Sequence, residues 1–210
     1  MSKASPARPA ADRIIAAAYE LFAADGFEVP LSAIAKKARV TPAQLAAHFR
    51  GKPALIQRVM VKLFDGRWRP EWDALLADRS LSLEQRLTRF YVEYRGAMRP
   101  ADSRLWTRAG LLGVHKSGKF SSKLAQRMLI PLIRELRHEA GLPAPDARAV
   151  MPLELELAGV LHGAIAFIHT RGHVFGMTVH GTLAEIVAMN VRVFLAGAPA
   201  ELRRLHAAAA

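Results

Sequence analysis

The chain of 210 residues contains no cysteine. This absence excludes a disulfide scaffold and every zinc site built on thiolates, and it is typical of proteins that fold in a reducing compartment. The most apolar stretch, residues 155–168, is too short for a membrane span and contains His162. Met1 is followed by alternating Ser, Pro, Ala, Lys and Arg rather than by the apolar core of a secretory signal. We therefore expect a soluble, cytoplasmic protein with no membrane partner.

The sequence also lacks the usual signatures of catalysis. It has no nucleophile elbow, no HExxH pair, no phosphate-cradling glycine loop and no convincing acid–base pair. Segments with the period of a β-strand and internal repeats are missing as well. We expect a protein that is not an enzyme and that carries no cofactor.

Acidic residues are missing from one long segment. Residues 29–64 contain seven Lys or Arg and no Asp or Glu, within a chain of net charge +12 and a sequence pI of about 10.8. Such a balance points to nucleic acid or an anionic membrane as a partner. The seven cations surround a set of aliphatic residues at helical spacing, which favours a small DNA-binding head whose affinity comes mostly from phosphate neutralisation.

Helix signals divide this head into short elements. Apolar residues recur at helical spacing from Ile14 to Phe22, and Gly26 supplies a stop. Pro30 opens a second helix. Thr41, followed by Pro42 at the first helical position and Gln44 three residues after the cap, predicts a capping box at the start of a third helix.

The rest of the chain is also helical by pattern. Pro70 is predicted to kink or end the fourth helix. Proline and glycine residues further along predict helices over residues 83–98, 103–114, 120–140, 146–171 and 179–195, with a loop at residues 115–118. The fold class is thus all-α with about nine helices. Residues 1–10 are a basic arm, which is either unordered or laid along a minor groove. Residues 201–210 are a tail whose last four residues are of low complexity.

The N-terminal third resembles the tetracycline-repressor-type (TetR) family of bacterial regulators. The resemblance is carried by Ile15, Ala18, Leu21, Phe22, Gly26, Phe27, Ile34, Ala35, Ala38, Val40, Thr41, Leu45, His48, Phe49, Lys52 and Leu55. It implies a helix-turn-helix domain over residues 11–56, with the motif at about residues 30–49. It also implies a C-terminal helical bundle over residues 57–200 that binds a ligand and forms the dimer.

In that family the second helix lies across the DNA backbone and the third enters the major groove. The resemblance and the helix-turn-helix geometry place Thr41 and Lys52 on phosphates, with His48 near the backbone. The complete set of expected DNA-binding residues is Lys36, Lys37, Arg39, Thr41, Pro42, Gln44, His48, Arg50 and Lys52.

This sequence departs from the family pattern at several positions. Arg39 replaces the turn glycine, so a residue with a side chain has to adopt an unusual backbone angle. Pro30 stands where a Ser or Thr usually caps the second helix, and Ala43 replaces a glycine. Ala46 replaces the Tyr that usually contacts a phosphate, which weakens positioning on the DNA, while Arg39 and Arg50 restore positive charge.

Two features of the third helix have alternative interpretations. Gln44 either makes a paired hydrogen bond to an adenine edge or commits its side chain to the capping box. Ala46 and Ala47 either contact thymine methyl groups or serve only as good helix formers. Both alternatives stay open at the level of sequence.

The C-terminal helices supply candidates for a ligand pocket and a dimer interface. Apolar walls with a few polar groups suit a small ligand, and the expected pocket residues are Arg95, Met98, Trp106, Met128, His162 and Phe167. A small-residue ridge and the last helix form the interface that the family resemblance favours over packing within the chain. The expected residues are Gly159, Gly163, Ala166, Ile186, Val191 and Phe194.

Histidines cluster between residues 162 and 180, and His169 and His173 have the i, i+4 spacing of two metal ligands on one helix. Gly172 is predicted to end that helix between them, and no carboxylate completes the set, so no metal site is expected. The Glu135–His138 segment matches one Glu-x-x-His of a di-iron bundle without a second copy. It is interpreted as a solvated face.

The expected function is a DNA-binding transcriptional regulator, acting as a homodimeric repressor that responds to a small-molecule effector. Its partners are a double-stranded operator, the effector and a second copy of the chain. The alternative is a helical small-molecule or metal-binding protein of the same fold that has lost specific operator recognition, a hypothesis motivated by Arg39 and Ala46.

Overall fold

The computed structural model describes residues 9–65, 68–114 and 119–209. Every regular element in these ranges is a helix, which confirms the all-α class. Residues 1–8 of the predicted arm over residues 1–10 and the loop at residues 115–118 lie outside the described ranges, whereas Ala10 of that arm begins the first helix. The chain divides into two compact units: an N-terminal unit (Met1–Arg67 and Ala101–Lys116) and a C-terminal unit (Trp68–Pro100 and Ser117–Ala210).

The N-terminal unit is built from four consecutive helices and one that returns from later in the chain. These are α1 (Ala10–Asp25), α2 (Leu31–Ala38), α3 (Pro42–His48), α4 (Lys52–Asp65) and α7 (Pro100–Leu111). Gly26 ends α1 with a φ of 89°, and Pro30 caps α2. Both boundaries are those predicted from the sequence.

One helix from outside the predicted DNA-binding domain completes the N-terminal core. Leu105 and Ala109 of α7 are fully buried in it, beside residues of α1 to α4. The Tyr19 hydroxyl donates to Asp102 (2.6 Å), and Arg108 donates to the Phe22 carbonyl (2.9 Å). The compact unit therefore extends beyond residues 11–56, because the returning helix supplies part of its core.

The C-terminal unit has a single large core. Its helices are α5 (Pro70–Ala77), α6 (Leu83–Gly96), α8 (Lys119–Leu124), a π-helical turn (Ala125–Leu129), α9 (Ile130–Ala140), α10 (Pro152–His173) and α11 (Leu183–Ala208). α8, the π turn and α9 follow one another without a break, so the predicted helix over residues 120–140 is present. The wide turn ends two residues before Pro131, which has no N–H to donate to the preceding turn.

Several boundaries of this unit differ from the prediction. Pro70 begins α5, a helix that the sequence pattern did not predict, because proline fits the first helical position. α10 begins at Pro152 rather than at residue 146, and it continues through Gly172 to His173. The predicted tail lies mostly within α11, where burial of Leu202 and Leu205 in the chain's own fold holds residues 201–208 helical.

Candidate functional site

The turn between α2 and α3 is set by local hydrogen bonds. The Gln44 backbone N–H donates to Thr41 Oγ1 (3.1 Å), and the Thr41 N–H donates to Gln44 Oε1 (2.9 Å). This reciprocal pair is the predicted capping box. It fixes the start of α3, and the buried Leu45 side chain anchors the helix to the N-terminal core.

Arg39 carries the unusual backbone angle that its place in the turn predicts. It ends α2 in the left-handed region, with φ 54° and ψ 52°, and it is the only non-glycine residue with positive φ among the described residues. Its N–H donates to the Lys36 carbonyl (3.1 Å), and the Val40 N–H donates to the Ala35 carbonyl (3.0 Å). The turn therefore closes α2 without glycine, at a strain of roughly 1–2 kcal/mol.

Replacing Arg39 by glycine should relieve this strain. We expect Arg39→Gly to raise the free energy of unfolding by up to about 1 kcal/mol, because the relief exceeds the roughly 0.5–1 kcal/mol that the added freedom of glycine costs. Urea unfolding measures the change. Arg39→Ala is the matched control, since it removes the guanidinium and keeps the strain; an equal gain in both variants would contradict the explanation.

α3 lies on the surface of the N-terminal unit and is largely exposed to solvent. Leu45 is the only residue of Pro42–His48 that points into the core, and the other six are exposed. Four of these six, Pro42, Ala43, Ala46 and Ala47, carry no hydrogen-bonding side chain. The polar members are Gln44 and His48, and the Gln44 side-chain oxygen is engaged in the capping box.

Positive side chains lie in the segments that precede and follow this helix. Lys36, Arg39 and Arg50 are exposed and Lys52 is half-buried, and no carboxylate of the described residues lies within ion-pair distance of these four. Lys37 differs, because it pairs with Glu20 of α1 at 2.9 Å. Exposed pairs of this kind are weak, so Lys37 is only partly neutralised.

A shallow apolar recess adjoins the exposed side of α3. It has a volume of about 260 Å³. Its walls come from the first turn of α2, from α3 and from the residues that follow α3. The lining residues are Leu31, Ser32, Pro42, Leu45, Ala46, Phe49 and Gly51.

The expected pocket residues are divided between the two units. Trp106 packs against the N-terminal core, whereas Met128 is buried in the C-terminal core and Phe167 is about half exposed. Arg95 donates to Met98 Sδ (2.6 Å) and to the Ala166 carbonyl (2.9 Å).

The histidines of α10 lie close to Arg95. The His162 ring lies 6.2 Å from that of Tyr91. Burial, together with the charge of Arg95, lowers the pKa of His162 to about 4. The same two causes and the neighbouring His173 lower the pKa of His169 to about 4. His162 and His169 are therefore neutral near pH 7.

His169 and His173 lie on one continuous helix. The prediction that Gly172 ends the helix between them is wrong, because α10 runs through Gly172, and their rings stack at 4.9 Å. Gly172 has a packing role instead, since a Cβ there would approach Val179 to 3.3 Å. Within the described residues no group of three or more potential ligands surrounds a metal position.

The expected dimer residues differ in their exposure. Ile186 and Val191 are buried in the C-terminal core of the single chain. Gly159, Ala166 and Phe194 are half-buried and Gly163 is exposed. The exposed apolar residues of α10 and α11 occupy other positions: Leu153, Val160 and Phe167 on α10, and Met189 and Val193 on α11. We call these five residues and Gly163 the apolar face.

α10 and α11 are also long and apolar enough, by length and composition alone, to cross a membrane. In each helix 28% of the most apolar segment is buried inside the chain's own fold. Core helices of soluble proteins pass the same test, so this property is weak evidence for a membrane span.

Sequence inspection missed a buried ionic cluster that joins α9, α10 and α11. Arg137, Glu154 and His206 are almost completely inaccessible. Arg137 makes two hydrogen bonds to the Glu154 carboxylate (2.8 and 2.5 Å), and His206 Nε2 lies 3.0 Å from Glu154 Oε1. The interpretation of the Glu135–His138 segment as a solvated face is therefore wrong for Arg137. It is also wrong for the buried Glu135, which binds Arg86 at 2.7 Å.

The head and the fold are similar to known proteins. Residues 14–59 match the family described as bacterial regulatory proteins, tetR family. No curated protein sequence matches the chain significantly. Two solved structures share the fold at low sequence identity. One is described as a TetR-family transcriptional regulator from Mesorhizobium loti MAFF303099, with 17% identity, a TM-score of 0.62, and coverage of 89% of this chain and 95% of that one. The other is Salmonella enterica GusR, with 16% identity, a TM-score of 0.58, and coverage of 92% and 99%.

Proposed function

We propose that this chain is a ligand-responsive homodimeric repressor of the TetR type that binds operator DNA, a proposal supported by the match of residues 14–59 to that family and by the shared fold. The observation that carries the proposal is the exposure of α3, six of whose seven residues are solvent-facing, between two segments that carry cations. A short, rigid helix with positive surroundings fits the major groove of a duplex.

In the proposed complex each part of the head has a separate task. α3 enters the groove, while Thr41 and Lys52 contact phosphates beside it. Lys36, Arg39 and Arg50 add sequence-independent attraction, which supplies most of the affinity of such heads. The Thr41 hydroxyl keeps its proton available for a phosphate oxygen, because in the capping box it only accepts.

Two copies of the chain are needed to occupy successive major grooves, roughly 34–36 Å apart. The apolar face supports this part of the proposal, since large exposed apolar patches mark interaction surfaces. A Cβ added to Gly159 or Gly163 would meet nothing within 4 Å, so the chain's own packing does not require these glycines. A second copy of the chain that packs closely against α10 and α11 would require these two glycines.

The effector would act through the C-terminal unit. A ligand that prefers one spacing of the two heads shifts the equilibrium by its differential affinity, typically about 1–3 kcal/mol of coupling. We place effector binding near Arg95 and His162, because buried polar groups there lie among apolar side chains. The proposal includes no enzymatic activity, and its place of action is the cytoplasm, where the operator lies.

The second candidate is a protein of the same fold that binds a small molecule or a metal and no longer recognises an operator. The exposed alanine at position 46, where the family usually has a phosphate-binding tyrosine, favours it. Tight binding of a ligand or metal by the isolated protein, with the same affinity for every DNA sequence, would support this candidate over the repressor.

Fluorescence anisotropy with the promoter DNA beside the chain's own gene tests the repressor proposal. We expect salt-sensitive, sequence-preferring binding, and we expect Lys52→Ala to reduce the slope of log affinity against log salt by about one. Lys62→Ala is the matched control, because Lys62 lies outside the expected DNA-binding residues and contacts Asp12 of α1, so its removal should change the slope less than the removal of Lys52. Binding that is indifferent to salt and to sequence would overturn the repressor.

A further inference from the structure

The exposed side of α3 is unusually poor in hydrogen-bonding groups. Pro42, Ala43, Ala46 and Ala47 offer only methyl and methylene surface to a partner. The Gln44 side chain is turned towards the start of α3, where its oxygen accepts from the Thr41 N–H at 2.9 Å, so the capping box competes with the paired donor–acceptor contact that distinguishes adenine. One amide NH₂ and the His48 ring are the polar groups that remain for base edges.

The recess beside α3 extends this apolar surface. Pro42 and Ala46 form part of its wall, together with the apolar side chains of Leu31, Leu45 and Phe49. The cations described above flank α3 in the chain, so an occupant should be polyanionic and should also offer apolar groups where it meets α3. A duplex with thymines in the major groove has this combination.

We propose, as a refinement that rests on the proposed function, that α3 recognises its operator through thymine C5-methyl groups. Among the bases of unmodified DNA, thymine alone presents a methyl group in the major groove. Contact with Pro42, Ala43, Ala46 and Ala47 favours thymine over cytosine, whose edge presents a polar amino group that these side chains cannot pair. Phosphate contacts then supply affinity, and the methyl contacts supply the sequence preference.

Removal of single methyl groups from the DNA tests the inference. The preferred site is first selected from random duplexes by the full-length chain. Each thymine of that site is then replaced by deoxyuracil, which keeps the base pairing and lacks only the methyl group. We expect a weakening of about three- to fivefold at two or three thymines of each half-site, since burial of one methyl group accounts for a change of that size.

Methyl rescue separates methyl recognition from other effects. Replacing a sensitive thymine–adenine pair by a cytosine–guanine pair should weaken binding, and 5-methylcytosine at the same position should recover part of the loss. In the protein, Ala46→Ser places a hydroxyl among the contacts, and we expect it to reduce the difference between thymine and deoxyuracil at one position. Thermal unfolding of Ala46→Ser checks that the head still folds.

The outcomes are distinguishable. Sequence-preferring binding with position-specific loss in deoxyuracil and rescue by 5-methylcytosine supports the inference. Sequence-preferring binding in which no deoxyuracil changes the affinity by more than about 1.5-fold overturns the inference and leaves the repressor standing. Binding without any sequence preference overturns both.

Discussion

Replacement of Glu154 by glutamine should lower the free energy of unfolding by about 3–5 kcal/mol, the cost of leaving a buried charge without its partner. Arg137 and Glu154 are both fully buried, with 0% of either residue exposed. The same guanidinium donates to the carbonyls of Pro143, Arg148 and Ala149, so Arg137 cannot swing out to solvent without breaking several hydrogen bonds. Chemical denaturation of the purified protein measures the loss.

Glu156→Gln is the matched control for this substitution. Glu156 lies two residues further along α10 and is exposed, so the same chemical change there should stay within about 0.5 kcal/mol of the parent. A loss below about 1 kcal/mol in Glu154→Gln would show that Arg137 is solvated or re-paired in the variant. The single buried pair would then not be what holds α9 to α10.

The same carboxylate predicts how stability changes with acid. Burial alone would raise the pKa of Glu154, but hydrogen bonds from Arg137, from the Met151 N–H and from His206 lower it to about 2. A carboxyl group with a lowered folded-state pKa stabilises fully above its ordinary value of 4.5, and the stabilisation is lost as the pH falls from there towards 2. We therefore expect the stability of Glu154→Gln to fall less steeply over this interval than that of the parent.

The helix-turn-helix was predictable because its signals are local. Gly26, Pro30 and the Thr41–Gln44 pair each determine a helix end within a few residues, without help from distant parts of the chain. The left-handed angle at Arg39 follows for the same reason, since the turn requires it whatever residue is present. The exposure of α3 follows from one anchoring residue, Leu45, in a helix of seven.

The C-terminal unit was less predictable because its determinants are far apart in sequence. The sequence around Arg137 does not indicate that Glu154 and His206 lie beside it, because the three residues belong to separate helices. Glu154 leaves one weak local signal, a carboxylate three residues after Met151 whose oxygen accepts the Met151 N–H at 2.8 Å.

α11 shows why the facing of an apolar helix is ambiguous. Ile186, Val187, Met189, Val191 and Val193 are all apolar, so periodicity alone does not say which of them face the core. The packed unit places Ile186, Val187 and Val191 inside and leaves Met189 and Val193 exposed. The interface that we propose therefore uses Met189 and Val193, which the sequence could not single out.

Replacement of Val193 by glutamate should convert the proposed dimer to a monomer. Val193 is 71% exposed in the single chain and lies on the apolar face. In an isologous interface both subunits contribute the same surface, so the substitution places one glutamate from each subunit in the interface. Two uncompensated charges are then buried together. We expect the dissociation constant of the dimer to rise by at least about 100-fold, which corresponds to about 3 kcal/mol. Sedimentation velocity over a concentration series measures this change, and operator affinity should fall with it because a single head makes half of the contacts.

Leu111→Glu gives the comparison that isolates the apolar face. Leu111 is also an exposed apolar residue, 85% accessible, but it belongs to α7 of the N-terminal unit. The same change in charge and polarity there should leave the oligomeric state unchanged, which removes net charge as an explanation. A parent protein that sediments as a monomer at all concentrations, or a Val193→Glu variant that stays dimeric, would refute the assignment of this face. If Val193→Glu alone dissociates and keeps the parent's thermal stability as a monomer, the surface of α10 and α11 serves assembly rather than folding.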